Sequence, residues 1–138
     1  MSEMTDFNRN VIEEFRANGG RVAAFGDTPI VLLHTTGAKS GQPRVNPLAA
    51  LPGDDGVLYV FASKAGAPSN PDWYHNVLAH PEVEVEYGED RYTAVATPVA
   101  APERDRIYAE QAARVPNFAE YEKATDRVIP VVELRRRT

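Results

Sequence analysis

Short apolar and β-branched runs, separated by turn-forming residues, constrain this chain more than any other feature. Pro29 to His34 (PIVLLH) is a continuous apolar run that predicts a buried strand. Val45 to Pro52 (VNPLAALP) and Val57 to Ser63 (VLYVFAS) predict two more, with Gly53-Asp54-Asp55-Gly56 as the turn between them. Val83 to Tyr87 (VEVEY) alternates strictly, which predicts a strand with one wet face. GED turns it into a strand over Arg91 to Val99, and VIPVVEL predicts the last one. Such hairpin-like spacings favour antiparallel pairing, because parallel neighbours need crossovers of roughly a dozen residues or more. The expected fold class is therefore mainly β with peripheral helices (α+β), as a small barrel or strongly curved sheet of about six mostly antiparallel strands.

Phe7, Val11 and Phe15 recur four apart, which predicts an N-terminal helix within residues 1–20. Asp6 would cap it and Asn18-Gly19-Gly20 would end it. Asn70 is a favoured N-cap, Pro71 suits the first helical position, and Pro81 stops the chain, so a helix is expected over Pro71 to Ala79. Pro102 opens another to about Arg114, and a short helical segment after Pro116 would carry Phe118, Tyr121 and Thr125 on one face. With no repeat or linker, the 138 residues are expected to form one domain over 1–138.

Composition removes several function classes. The formal net charge is −5, and the only dense basic run, Arg135-Arg136-Arg137, reads as a solvated tail. Nucleic acid is therefore not an expected partner. Cysteine is absent, which excludes disulfides and thiolate metal sites. His75 and His80 diverge on a helix, and His34 reads as a satisfied core residue, so no metal site is expected. No apolar run approaches the ~20 residues that span a bilayer. A cytoplasmic protein is expected, peripheral at a membrane at most and without a stable anchor. Whether it is a monomer or a homodimer is open at this level.

Two segments carry chemistry. Thr35 to Leu48 (TTGAKSGQPRVNPL) superficially suggests a phosphate loop, but Ala38 rather than Gly precedes Lys39, and the segment leads into a strand. It reads as a hairpin turn in which Gly37 and Gly41 supply positive φ. It also reads as an anion site, where turn N–H groups, Lys39 and Arg44 converge. The second segment is Ser63 to Asn76 (SKAGAPSNPDWYHN). Its small residues let backbone approach a ligand, and Trp73 and Tyr74 could flank a planar ring. Trp73 with Val77, or Tyr74 with Leu78, equally suits a core pair at helical spacing. Asp72 in the first turn disfavours an anion there and assigns it to the first segment. There is no G-x-S-x-G elbow and no persuasive pair of catalytic carboxylates, which suits a reaction whose chemistry a cofactor supplies.

TTGAKSGQPRVNPL, then ASKAGAPSNPDWYHN, then TDRVIPVVEL together resemble the deazaflavin-dependent nitroreductase family of actinobacteria, over about Pro29 to Leu134. The resemblance implies a split β-barrel related to FMN-binding oxidoreductases. It implies coenzyme F-420, an 8-hydroxy-5-deazaflavin with a phosphate and polyglutamate tail, as cofactor. Lys39, Ser40 and Arg44 match positions that hold the phosphate and tail. Val45, Asn46, Pro47 and Leu48 match the strand beside the cofactor. Ala62, Ser63 and Lys64 match the edge facing the ring, and Trp73, Tyr74 and Asn76 match the helix start that closes over it. Val115, Phe118 and Tyr121 match the substrate pocket. The family pattern has tyrosine where this chain has Val115 and Phe118, which weakens the case for bulky nitroimidazoles. The implied activity is hydride transfer from the reduced coenzyme to a quinone, nitro or conjugated carbonyl acceptor, with Tyr121 or solvent as proton donor. Two alternatives stand beside it: an FMN-dependent reductase, and a non-catalytic protein that binds deazaflavin or a hydrophobic ligand.

Overall fold

The structure, a computed structural model, describes residues 6–137. Six strands are present: β1 (Ile30–Thr36), β2 (Pro43–Pro52), β3 (Leu58–Phe61), β4 (Glu82–Tyr87), β5 (Asp90–Pro98) and β6 (Val131–Arg136). They close into a barrel in the order β1-β2-β3-β6-β5-β4, and every neighbouring pair is antiparallel. Closure leaves no sheet edge unpaired. The helices are α1 (Asp6–Ala17), α2 (Asp72–Ala79), α3 (Glu103–Arg114) and α4 (Asn117–Ala124).

Strand alternation explains how the core divides. Val31 and Leu33 of β1 point into the barrel with Val60, Val85, Ala94, Val132 and Leu134. Ile30 and Leu32 point outward, where α1 covers them with Val11, Ile12 and Phe15. Both faces of β1 are therefore dry, which is why its sequence is a continuous apolar run. On the opposite side, Phe61 and Val131 face outward under Ile107 and Tyr108 of α3 and Phe118 of α4. Trp73 and Val77 of α2 join the interior cluster, so this short helix closes one end of the barrel.

Several expectations need correction. Phe7 is 59% exposed, and Ile12 takes its place beside Val11 and Phe15 on the buried face. Asp6 lies inside the first turn of α1 and pairs with Arg9 at 3.0 Å. β1 runs on through Thr35 and Thr36, and β2 starts at Pro43, because the two strands pair as far as Thr36 and Pro43. β3 ends at Phe61, so Ser63 is not in a strand. Asn70 does not cap α2; Pro71 holds that position and no side chain caps it. α4 ends at Ala124, and Thr125 has left the helix with ψ 150°. The basic run is solvent-exposed as expected, but it is part of the barrel: Arg135 and Arg136 belong to β6, Arg135 pairs with Glu133, and the Arg136 guanidinium sits 4.4 Å from the Tyr92 ring centre. Gly41 has positive φ at +69°, whereas Gly37 does not. At Gly37 an added Cβ would meet Ser40 Oγ, so the Ser40 side chain would have to turn away to admit one.

Candidate active site

Two cavities lie side by side along β2 and the start of α2. The larger, about 690 Å³, has Asn46, Pro47, Leu48 and Ala49 of β2 on one wall and Ser63, Lys64 and Ala65 on another. Pro71 and Trp73 form its floor, and Val115, Asn117, Phe118 and Tyr121 come from the α3–α4 region. The second, about 640 Å³, is lined by Gly37, Ala38, Lys39, Ser40 and Arg44 together with Asp72, His75 and Asn76. Arg44 faces one cavity and Asn46 the other, so a single residue of β2, Val45, lies between the space that holds Lys39 and Arg44 and the larger cavity of mixed polar and apolar lining.

The turn at 37–42 is held by short-range bonds. Gly37 N–H donates to the Gln42 carbonyl at 2.8 Å, and Gly41 N–H to the Gly37 carbonyl at 3.0 Å. Ser40 Oγ accepts from the Gln42 N–H at 3.1 Å. Asn76, buried on α2, accepts from the Ala38 N–H and donates to Thr35 Oγ1. Lys39 and Ser40 remain exposed at the tip. Asp72 enters this same space, so the first turn of α2 and the turn of Lys39 are not separate regions as their sequence roles suggested.

The far wall is aromatic and rigid. Phe61, Tyr108, Phe118 and Tyr121 meet edge to face, with Phe118–Tyr121 ring centres 5.3 Å apart and Phe61–Phe118 5.5 Å. Such T-shaped pairs add to the area term of burial. Tyr108 donates its hydroxyl to the Phe118 carbonyl at 2.7 Å, and burial pushes its phenol up to about 12. Tyr108 therefore stays protonated as a strut. Phe61, Phe118 and Tyr121 all line the larger cavity; Phe61 and Phe118 are buried, and Tyr121 is partly buried with a hydroxyl that makes no hydrogen bond among the described residues.

Of the residues singled out from sequence, Val45, Ala62 and Tyr74 line neither cavity. Val45 packs outward beneath α1. Ala62 is fully buried. Tyr74 packs on the interior cluster with its ring edge to Trp73. The core pair is Trp73 with Val77, since Leu78 is 49% exposed. Sequence reasoning missed Asn8, Ala24, Phe25 and Thr28, which wall the larger cavity from the N-terminal segment, and His75 in the smaller one. No periodicity marks these positions, because they meet the site only once α1 folds across β1 and β2.

Comparison with known proteins places the chain in a family. The family model for F-420H(2)-dependent quinone reductase matches residues 7–135. This chain belongs to that family. It is 41% identical over 128 residues to the F-420H(2)-dependent quinone reductase Rv1261c of Mycobacterium tuberculosis, covering 89% of this chain and 85% of the relative. It is 33% identical over 109 residues to the putative quinone reductase Rv3178 of the same organism, covering 79% and 91%. Among solved structures, a reduced-F-420-dependent reductase (FDR-A) superposes with TM-score 0.70 at 40% identity, covering 78% of this chain and 94% of that one. A structure described as a domain-swapped dimer matches with TM-score 0.72 at 36% identity, covering 92% and 96%. The haem storage protein HutZ of Vibrio cholerae, at 17% identity and TM-score 0.62, shares the fold. This chain shares the barrel fold with the solved reductase FDR-A. Among its described residues, no helix is long and apolar enough to cross a membrane.

Proposed function

We propose that this chain is a quinone-type reductase that uses reduced coenzyme F-420. The observation that carries the reading is that β2 lines both a cavity holding Lys39 and Arg44 and a larger cavity whose lining includes Pro47, Leu48, Trp73 and Phe118. A planar ring with an anionic tail needs both kinds of lining. Lys39, Ser40 and Arg44 would hold the phosphate and tail through charge-assisted hydrogen bonds. Asn46, Pro47, Leu48, Ser63, Lys64 and Trp73 would flank the ring, with Val45, Ala62, Tyr74 and Asn76 supporting them from behind.

When bound, the reduced coenzyme supplies a hydride from C5 of its ring. The chain's own residues bind, orient and exclude water, which is where an enzyme of this kind gains rate. Val115, Phe118 and Tyr121 would shape the acceptor side. Phe118 offers no hydroxyl, so the polar groups that α4 brings to the acceptor side are Asn117 and Tyr121. Tyr121 would donate the proton that the reduced acceptor takes up.

A fluorescence titration with the oxidised coenzyme, run beside FMN, tests this. Saturable deazaflavin binding at micromolar or lower concentration, with FMN much weaker, and turnover of menadione by the reduced coenzyme are expected. FMN binding alone would move the chain to a flavin reductase. Tight deazaflavin binding without turnover of any acceptor would make it a carrier.

A further inference from the structure

Residues 64–66 adopt three consecutive positive φ angles: Lys64 at 46°, Ala65 at 52° and Gly66 at 80°. Two of the three carry a Cβ, for which the left-handed region is disfavoured. Such a turn persists only where its surroundings hold it, and strained backbone of this kind clusters at functional sites.

Arg127 is what holds it. Its Nε donates to the Ala67 carbonyl at 2.8 Å and its Nη2 to the Ser63 carbonyl at 2.7 Å. Its Nη1 donates to the Ala62 carbonyl at 3.0 Å and to Asn70 Oδ1 at 2.8 Å. The guanidinium thus grips both ends of the turn. Asn70 is engaged here, which is why it is not the cap of α2.

A trans peptide sets C=O and N–H on opposite sides of its plane. With the Ala62 and Ser63 carbonyls drawn to Arg127, the N–H groups of Ser63 and Lys64 point the other way. Ser63 and Lys64 line the larger cavity, and those two N–H groups donate to no group among the described residues. Ser63 is right-handed helical (φ −75°, ψ −39°) and Lys64 left-handed, the alternation that makes successive N–H groups converge on one acceptor.

We propose that Arg127 is a positioning residue: it locks the 62–70 segment so that the Ser63 and Lys64 N–H groups face the cavity as donors for a carbonyl oxygen on the edge of the bound ring. This rests on the function proposed above. Arg127 itself does not touch the ring. Its role is the planar fork, which lysine cannot reproduce because an ammonium is a point charge.

The test compares Arg127→Lys and Arg127→Met with wild type, and with Lys39→Ala. The first readout is amide hydrogen exchange of Gly66 and Ala67 in the protein without coenzyme. The second is the Kd of the oxidised coenzyme. Both Arg127 variants should exchange these amides at least roughly tenfold faster and bind roughly tenfold or more weakly. Lys39→Ala should weaken binding and leave the exchange unchanged. Wild-type affinity in either Arg127 variant would overturn the proposal, and wild-type affinity in Arg127→Lys would show that charge alone suffices. A wild-type protein that binds no deazaflavin would sink the proposed function, while the exchange data still report whether Arg127 holds the turn. Should both variants fail to fold, Asn70→Ala decides: a several-fold rise in Kd with faster Ala67 exchange supports the clamp, and no change in either removes it.

Discussion

Asn76 Oδ1 accepts a hydrogen bond from the Ala38 N–H at 2.9 Å, joining α2 to a turn thirty-eight residues earlier in the chain. The same amide donates to Thr35 Oγ1 at 3.2 Å, so one buried side chain fixes both the end of β1 and the cationic turn. Asn76→Ala leaves the Ala38 N–H without its partner in a part-buried site. Thermal denaturation should show a loss of about 1–3 kcal/mol. Coenzyme affinity should fall with it, because Lys39 and Ser40 lose their anchored backbone. Unchanged affinity at a temperature where the variant is fully folded would separate the turn from the binding site.

Lys39 at the tip of the turn and Arg44 at the start of β2 face one cavity. If they hold the anionic tail, Lys39→Ala and Arg44→Ala should each raise the Kd of the coenzyme by about ten- to a hundred-fold. Binding to wild type should weaken with added salt, and each variant should show a shallower salt dependence. Titrations at two ionic strengths read both effects. Parallel salt dependences in all three proteins would place the tail elsewhere.

The barrel was legible because strand period and turn residues are local signals. PIVLLH, VEVEY and VIPVVEL each announce a strand, and the short connections β1–β2, β2–β3 and β4–β5 favour antiparallel pairs. The segment ends were less legible: pairing with β2 carries β1 through Thr36, which no local property of Thr35 or Thr36 requires. Lys39, Arg44, Ser63 and Trp73 could be singled out because their residue types match an anion and a planar ring. Arg127 could not, since its partners lie 57 to 65 residues away and are mostly backbone carbonyls, which carry no sequence signature. The pairing of Glu86 with Arg16, seventy residues apart, was hidden for the same reason.

Gly66 and Gly41 both have positive φ, at +80° and +69°, but only Gly66 is crowded. A Cβ there would lie 2.7 Å from Ala124 Cβ and 2.9 Å from the Tyr121 carbonyl oxygen, whereas at Gly41 nothing lies within 4 Å. Gly41→Ala should therefore cost only the backbone term, about 1 kcal/mol. Gly66→Ala must also push α4 away and should cost roughly twice that or more. Because α4 carries Phe118 and Tyr121, Gly66→Ala should in addition raise the KM for the acceptor. Equal losses of stability in the two variants would show that α4 gives way without cost.

Tyr121 offers the phenol nearest in role to a proton donor, since Tyr108 is committed to the Phe118 carbonyl. Tyr121→Phe keeps the aromatic packing and removes the proton. Steady-state kinetics with menadione should show kcat lowered by about tenfold or more with KM little changed. A kcat equal to that of wild type would assign the proton to solvent.

Glu86 ties α1 to the barrel. Arg16 grips its two oxygens, Nη2 to Oε2 at 2.8 Å and Nε to Oε1 at 3.2 Å, and His34 Nε2 lies 2.5 Å from Oε2. Arg91 stands further off, at 3.9 Å. The Arg16 bonds hold the Glu86 carboxyl down at about 2; burial opposes this, and the His34 bond adds to it. A carboxylate whose acidity is higher folded than unfolded stabilises the fold fully above its unfolded value, about 4.5, and that contribution drains away as pH falls toward about 2. The whole effect is at most about 3 kcal/mol. Glu86→Gln should be less stable than wild type at pH 7, and the gap should narrow between pH 4.5 and pH 2. Glu84 is also held low by Arg91, so some acid sensitivity remains in the variant. Denaturant unfolding across this range, with Arg16→Met as the matching partner deletion, measures the gap. Curves for wild type and Glu86→Gln that stay parallel down to pH 2 would mean that the Arg16–Glu86 pair contributes nothing to holding α1, and with it Asn8, against the cavity.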